Sequence, residues 1–200
     1  MGDQEDVLKQ ISERADIDTA TLAALGWVTV GWNRTELALE MLIVQYLKVE
    51  GKIGMILTRP LGNLARCDVL LGLINELEPD PAVKDRIEFG CKLFNRNREN
   101  RNAIIHASCF PAEAGVEFVS RGRLPKPAAH RIEGQTDTVL RIASEIDTCM
   151  MYLCGISAHV WGREKAQPFA LPDKPLLPDS VKKLPISHPN KKDPPRSSSA

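Results

Sequence analysis

The chain has 200 residues, with 26 basic and 26 acidic side chains and a formal net charge of zero. That balance excludes a protein whose whole surface is a nucleic-acid footprint, while leaving room for a local basic site. No apolar run approaches the roughly 18 residues of a membrane span, and the acidic, polar opening stretch resembles neither a secretory signal nor a transit peptide, so a cytoplasmic protein without membrane contact is expected.

Helical periodicity dominates and strand alternation is nearly absent. The first predicted helix runs from about Thr19 to Lys48, with Asp18 or Thr19 as N-cap and Gly51 as the stop. Leu22, Leu25, Val28, Trp32, Leu39, Ile43, Tyr46 and Leu47 fall on one stripe. Trp27, Val30, Leu37, Met41 and Val44 form a second strip on the far side. A helix apolar on two sides is either central or faces a partner chain. A second helix is predicted from Pro60 to Leu77, its stripe Leu64, Cys67, Leu71 and Ile74. Asp80 and Pro81 then read as the cap and first position of a third helix reaching about Ser108. Residues 109–133, rich in Pro and Gly, read as a loop with a short strand at most over Val116–Ser120. A fourth helix is predicted over Thr136–Trp161, burying Val139, Ile142, Ile146, Met150, Leu153, Ile156 and Val160.

The composition changes after Lys165. Residues 167–200 hold eight of the fourteen prolines and six basic against three acidic side chains. Such spacing favours extended, solvated chain. The expected architecture is therefore all-α. Residues 1–166 form an antiparallel four-helix bundle of long helices with an irregular loop before the last helix, and residues 167–200 form a disordered, Pro-rich basic tail. Five cysteines without a C-x-x-C read as reduced thiols. His130, His159 and His188 share no zinc-ligand spacing with them or with each other, so no metal site is expected. Glycine patterns for a nucleotide cofactor are absent, so no cofactor is expected either.

The third helix breaks its own pattern. Its stripe begins with Val83, Ile87 and Phe94 and continues into Asn97, Arg98 and Arg101 before Ile105. A buried, unpaired guanidinium costs several kcal/mol, so these side chains must be paired or line a cleft. Glu36, within the stripe of the first helix, and Glu40, at its edge, are the candidate partners. The bridge is structural, kept for a site, or both. Farther along, Asn102 and His106 stand at i and i+4 on one face, with Arg101 about a quarter turn away. An arginine can hold a phosphate bidentately, a histidine can move a proton near neutral pH, and an asparagine can orient either.

The run Arg101-Asn102-Ala103-Ile104-Ile105-His106 has the form R-N-x-x-x-H and resembles the signature of the HEPN (higher eukaryote and prokaryote nucleotide-binding) superfamily. The resemblance extends over residues 17–162. It implies a helical domain and a metal-independent endoribonuclease of the toxin, defence or RNA-processing kind, working as a homodimer, with an antitoxin or nucleotidyltransferase as a further partner. It also implies that Arg101 and His106 act on an RNA phosphate, that Asn102 orients His106 or a phosphate oxygen, and that the products carry a 2′,3′-cyclic phosphate and a 5′-OH. Glu36, Arg98 and Asn97 are supporting residues by periodicity alone. The alternative is a non-catalytic HEPN-like bundle that binds RNA or protein, and the remaining one is a helical interaction protein in which the motif is coincidental. Residues 95–134 carry seven basic and four acidic side chains, which suits RNA. Phe110 and Phe118 are the only aromatics there to stack on bases.

Overall fold

The computed structural model describes residues 2–112, 115–121, 129–132, 136–167 and 169–185. The chain is mostly helical. Its helices are α1 (Gly2–Ala15), α2 (Thr19–Leu47), α3 (Gly51–Thr58), α4 (Asn63–Leu77), α5 (Pro81–Ile105) and α6 (Thr136–Glu164). Among the described residues, the strands β1 (Ser108–Ala112), β2 (Gly115–Arg121), β3 (Ala129–Ile132) and β4 (Lys183–Pro185) form one antiparallel sheet in the order β1-β2-β3-β4. Residues 109–133 thus hold three strands where the sequence suggested one at most.

The helix starts follow local chemistry. Asp18 accepts the backbone N–H of Thr21 at 2.8 Å, and Asp80 accepts that of Ala82 at 2.8 Å with Pro81 beside it. Lys48 ends α2 in the left-handed region, φ 52°. The predicted stop at Gly51 is instead the first residue of α3, and the predicted helix from Pro60 is the shorter α4.

This return stroke alters the expected bundle. Thr21 meets Thr136, Thr35 Oγ1 reaches the Ile146 carbonyl, and Gln45 donates to the Ser157 carbonyl, so α2 and α6 run parallel. Glu36 with Asn63, Glu40 with Arg66 and Tyr46 with Glu78 likewise set α4 parallel to α2. The arrangement of four long antiparallel helices therefore does not hold, because α3 carries the chain back before α4 begins. Its crossing is close: a Cβ at Gly54 would overlap the Val44 side chain. The core comprises Val28, Trp32, Leu39 and Ile43 of α2, Cys67, Leu70 and Ile74 of α4, Ile87 and Phe94 of α5, and Val139, Ile142, Ile146, Leu153 and Ile156 of α6. Leu64, assigned to the α4 stripe by periodicity, is exposed, and Leu70 takes the buried place. Most of the second strip of α2 is open in the single chain, where Trp27, Val30, Leu37 and Met41 are all exposed, while Val44 is covered by α3.

The partners of the acidic residues also differ from expectation. Glu36 accepts from Trp32 Nε1 and Asn63 Nδ2, each at 2.6 Å, and Glu40 pairs with Arg66 at 2.7 Å. Neither reaches Arg98 or Arg101. Both carboxylates face α4, whose Asn63 and Arg66 satisfy them first.

The segment after α6 is not a free tail. Residues 169–185 lie against the helices as a strap. Phe169 O lies 2.7 Å from His159 Nδ1, Lys174 pairs with Asp85 at 2.6 Å, and Arg96 donates to the Pro178 carbonyl at 2.9 Å. Asn100, nearly fully buried, donates to the Asp179 carbonyl at 2.8 Å and accepts the Val181 N–H at 3.0 Å. The strap then enters the sheet as β4. The disorder expected from proline content fails here because prolines keep their carbonyls, and α5 supplies the donors. The expectation for residues 186–200 lies outside the described residues. Asn100→Ala removes both hydrogen bonds and leaves the buried Val181 N–H and the Asp179 carbonyl unpaired, at a cost of about 1–3 kcal/mol. The urea midpoint should fall and limited proteolysis should cut within 169–185. An unchanged midpoint with a resistant strap would contradict this anchoring role.

Candidate functional site

The C-terminal half of α5, the sheet and the strap enclose a cleft of about 860 Å³. Helix α5 contributes Glu99, Asn100, Asn102, Ala103 and His106. The sheet contributes Ser120 and His130, and the strap Ser180, Val181 and Lys183. His106 is the C-cap of α5; its N–H reaches the Asn102 carbonyl at 3.3 Å, and its side chain is exposed at the mouth.

Strand alternation explains the inner wall. Val116 and Phe118 of β2 are buried, Phe118 as part of the helical core, and Ser120 follows on the same face. Ser120 pairs with His130, and Ile132, on the face of His130, is buried and pairs with Lys183. The apolar face of the sheet thus gives way to Ser120, His130 and Lys183 at the cleft. On the opposite face, Arg131 pairs with Glu117 at 2.7 Å.

The residues expected from the sequence divide into two groups. Asn102 and His106 both line the cleft, at the i, i+4 spacing. Arg101 is half-buried beside it and donates from Nη1 to Asn102 Oδ1 at 3.0 Å, so it meets the cleft through Asn102. That bond fixes the carboxamide and leaves its NH₂ for another acceptor. Asn97 is fully buried, donating Nδ2 to the Leu93 carbonyl at 3.0 Å, and lies off the cleft. Arg98 approaches Glu99 only at 3.9 Å and also lies off the lining. Glu36 belongs to the α2–α4 contact.

Helical periodicity and motif spacing do not single out His130, Ser120, Ser180 and Lys183 as site residues. The alternation Val116, Phe118, Ser120 was the available signal. Nothing local linked it to residues ten and sixty positions farther on. Among the described residues no group of three or more His, Cys, Asp or Glu side chains is arranged to hold a metal ion, and no helix is long and apolar enough to cross a membrane. The described cysteines are free thiols. No family model, no curated protein and no solved structure matches the chain.

Proposed function

We propose that this chain is a HEPN-like endoribonuclease that cleaves RNA without a metal ion, using the cleft at the end of α5. The observation that carries the reading is the shared cleft position of Asn102 and His106, with Arg101 anchored to Asn102. A scissile phosphate seated there accepts from the Asn102 NH₂, while the Arg101 guanidinium behind it supports the developing charge. His106, at the open mouth, hands a proton to the leaving 5′-oxygen as the ribose 2′-OH attacks phosphorus in line. The products are a 2′,3′-cyclic phosphate and a 5′-OH.

The test is incubation of the purified full chain with a mixed-sequence RNA pool in EDTA, followed by end-group analysis. Cyclic phosphate termini are expected. Fragments with 3′-OH ends would point to a different chemistry. One observation favours the alternative, a binding module that does not cleave: Arg101 stands behind Asn102 rather than on the cleft lining. In that case RNA binds the cleft and is recovered whole.

The open strip on α2 fits the homodimer that the resemblance implies, since Trp27, Val30, Leu37 and Met41 would cover one another across a two-fold axis. Leu37→Glu places a charge in that contact and should convert a sedimenting dimer into a monomer with unchanged helicity. A wild-type monomer would remove the dimer from the account.

A further inference from the structure

In-line displacement moves two protons, and the reading above assigns only one group to them. We infer that His130 is the second proton-transfer residue of the cleft and that Lys183 is its phosphate-binding cation; the inference rests on the RNA-cleaving reading of the same site.

Four observations carry it. His130 lies on the same cleft wall as Ser120, opposite α5, and that cleft also holds His106. His130 Nδ1 is buried, yet it has no hydrogen-bond partner among the described residues. A buried ring nitrogen left unpaired is costly in a folded protein, and a ligand atom is one way to satisfy it. Lys183 extends from the neighbouring strand, opposite Ile132 and two residues before the partner of His130, and its exposed side chain lines the same space. Finally, Ser108 pairs with Val119, so the backbone entering β1 from His106 lies one strand from Ser120 and two strands from His130. Two strand spacings are about 10 Å. Side chains projecting from backbones that far apart can both reach one phosphate with hydrogen bonds of about 2.8 Å.

The chemistry balances with these groups alone. His130, recessed on the inner wall, accepts the 2′-OH proton as the 2′-oxygen bonds to phosphorus. The bond from phosphorus to the 5′-oxygen breaks, and that oxygen takes the proton carried by His106 at the mouth, where the departing strand meets solvent. Lys183 offsets the charge on the non-bridging oxygens. Among the described residues lining the cleft, Glu99 is the acidic one and sits exposed at its edge.

The test uses the full chain and a mixed-sequence 2′-O-methyl RNA, which binds but has no 2′-OH to attack with. In imidazole-detected NMR titrations, the His106 and His130 rings should shift together, while His159 of α6, held by the Phe169 carbonyl of the strap, stays unmoved. His130→Gln should keep its affinity for the 2′-O-methyl RNA and lose roughly 10²-fold or more of the cleavage rate on unmodified RNA. Lys183→Gln should weaken binding and lower the slope of log affinity against log salt by about one. If the His130 variant does not fold, the wild-type ring shifts still decide. If His106 shifts and its alanine variant is inactive, while His130 stays unmoved and His130→Gln cleaves like wild type, the inference falls and the RNA-cleaving reading stands. If RNA moves neither ring and wild-type protein cleaves nothing, both fall.

Discussion

His106→Ala should reduce RNA cleavage by about 10²- to 10⁴-fold, the usual contribution of a positioned proton-transfer group. The fold should survive, because the side chain is exposed at the end of α5 and the core does not depend on it. Circular dichroism and the thermal midpoint should match wild type while the gel assay shows the loss. Asn102→Ala removes the partner of the Arg101 guanidinium as well as the amide in the cleft. Its effect should therefore overlap with that of Arg101→Ala. The double variant should be little worse than either single one, since residues that act as a unit are not additive. Fully multiplicative losses would mean that Arg101 and Asn102 work separately.

The largest stability loss should come from the opposite end of the helices. Glu78 is buried between α4 and α5, where Arg163 Nη1 and Nη2 and the Tyr46 hydroxyl donate to it, and the Asp80 N–H reaches it at 2.9 Å. Burial by itself raises a carboxyl pKa, but the hydrogen bonds from Arg163, Tyr46 and Asp80 outweigh it and hold Glu78 down at about 2. Burial also pushes the Tyr46 hydroxyl up, and Glu78 pushes it further. Glu78→Ala strands a buried phenol and a guanidinium. Arg163 is about one-third exposed and can rehydrate, so the cost should be about 2–4 kcal/mol, at the low end for breaking a buried pair. The sign with pH follows from the lowered pKa. The contribution of Glu78 is complete above the usual glutamate range and drains away as pH falls from there toward 2. Urea midpoints of wild type and variant should converge across that acid window. A gap that stays constant through it would contradict the ionised pairing.

The legible parts of this fold are those written in neighbouring residues. Asp18 and the Asp80-Pro81 pair announce two helix starts because capping is settled within four residues. The same local logic found Asn102 and His106, whose shared face follows from helical spacing. What failed depends on distant partners. Gly51 reads as a stop, but here it begins a helix that doubles back along α2, where Gly54 must fit against Val44. Strands of four or five residues, one containing Pro111, are too short for alternation to reveal. The prolines of the strap signal extended chain correctly, yet whether such chain is solvated or docked depends on Arg96 and Asn100, some eighty residues earlier. His130 enters the cleft only through two strand pairings. The misplaced partners of Glu36 and Glu40 have the same origin: helical angles show which residues share a stripe, but not which helix lies opposite.

If the cleft formed by α5, the sheet and the strap cuts RNA with the chain's own side chains, wild type and the Arg101→Ala/His106→Ala double variant must differ in a side-by-side assay. Both are purified identically and incubated in EDTA with a 5′-labelled mixed-sequence RNA pool. Wild-type protein should yield fragments ending in 2′,3′-cyclic phosphate, and the folded double variant should yield none above background. Equal cleavage by both proteins would contradict the account, because the activity would then come from somewhere other than this cleft.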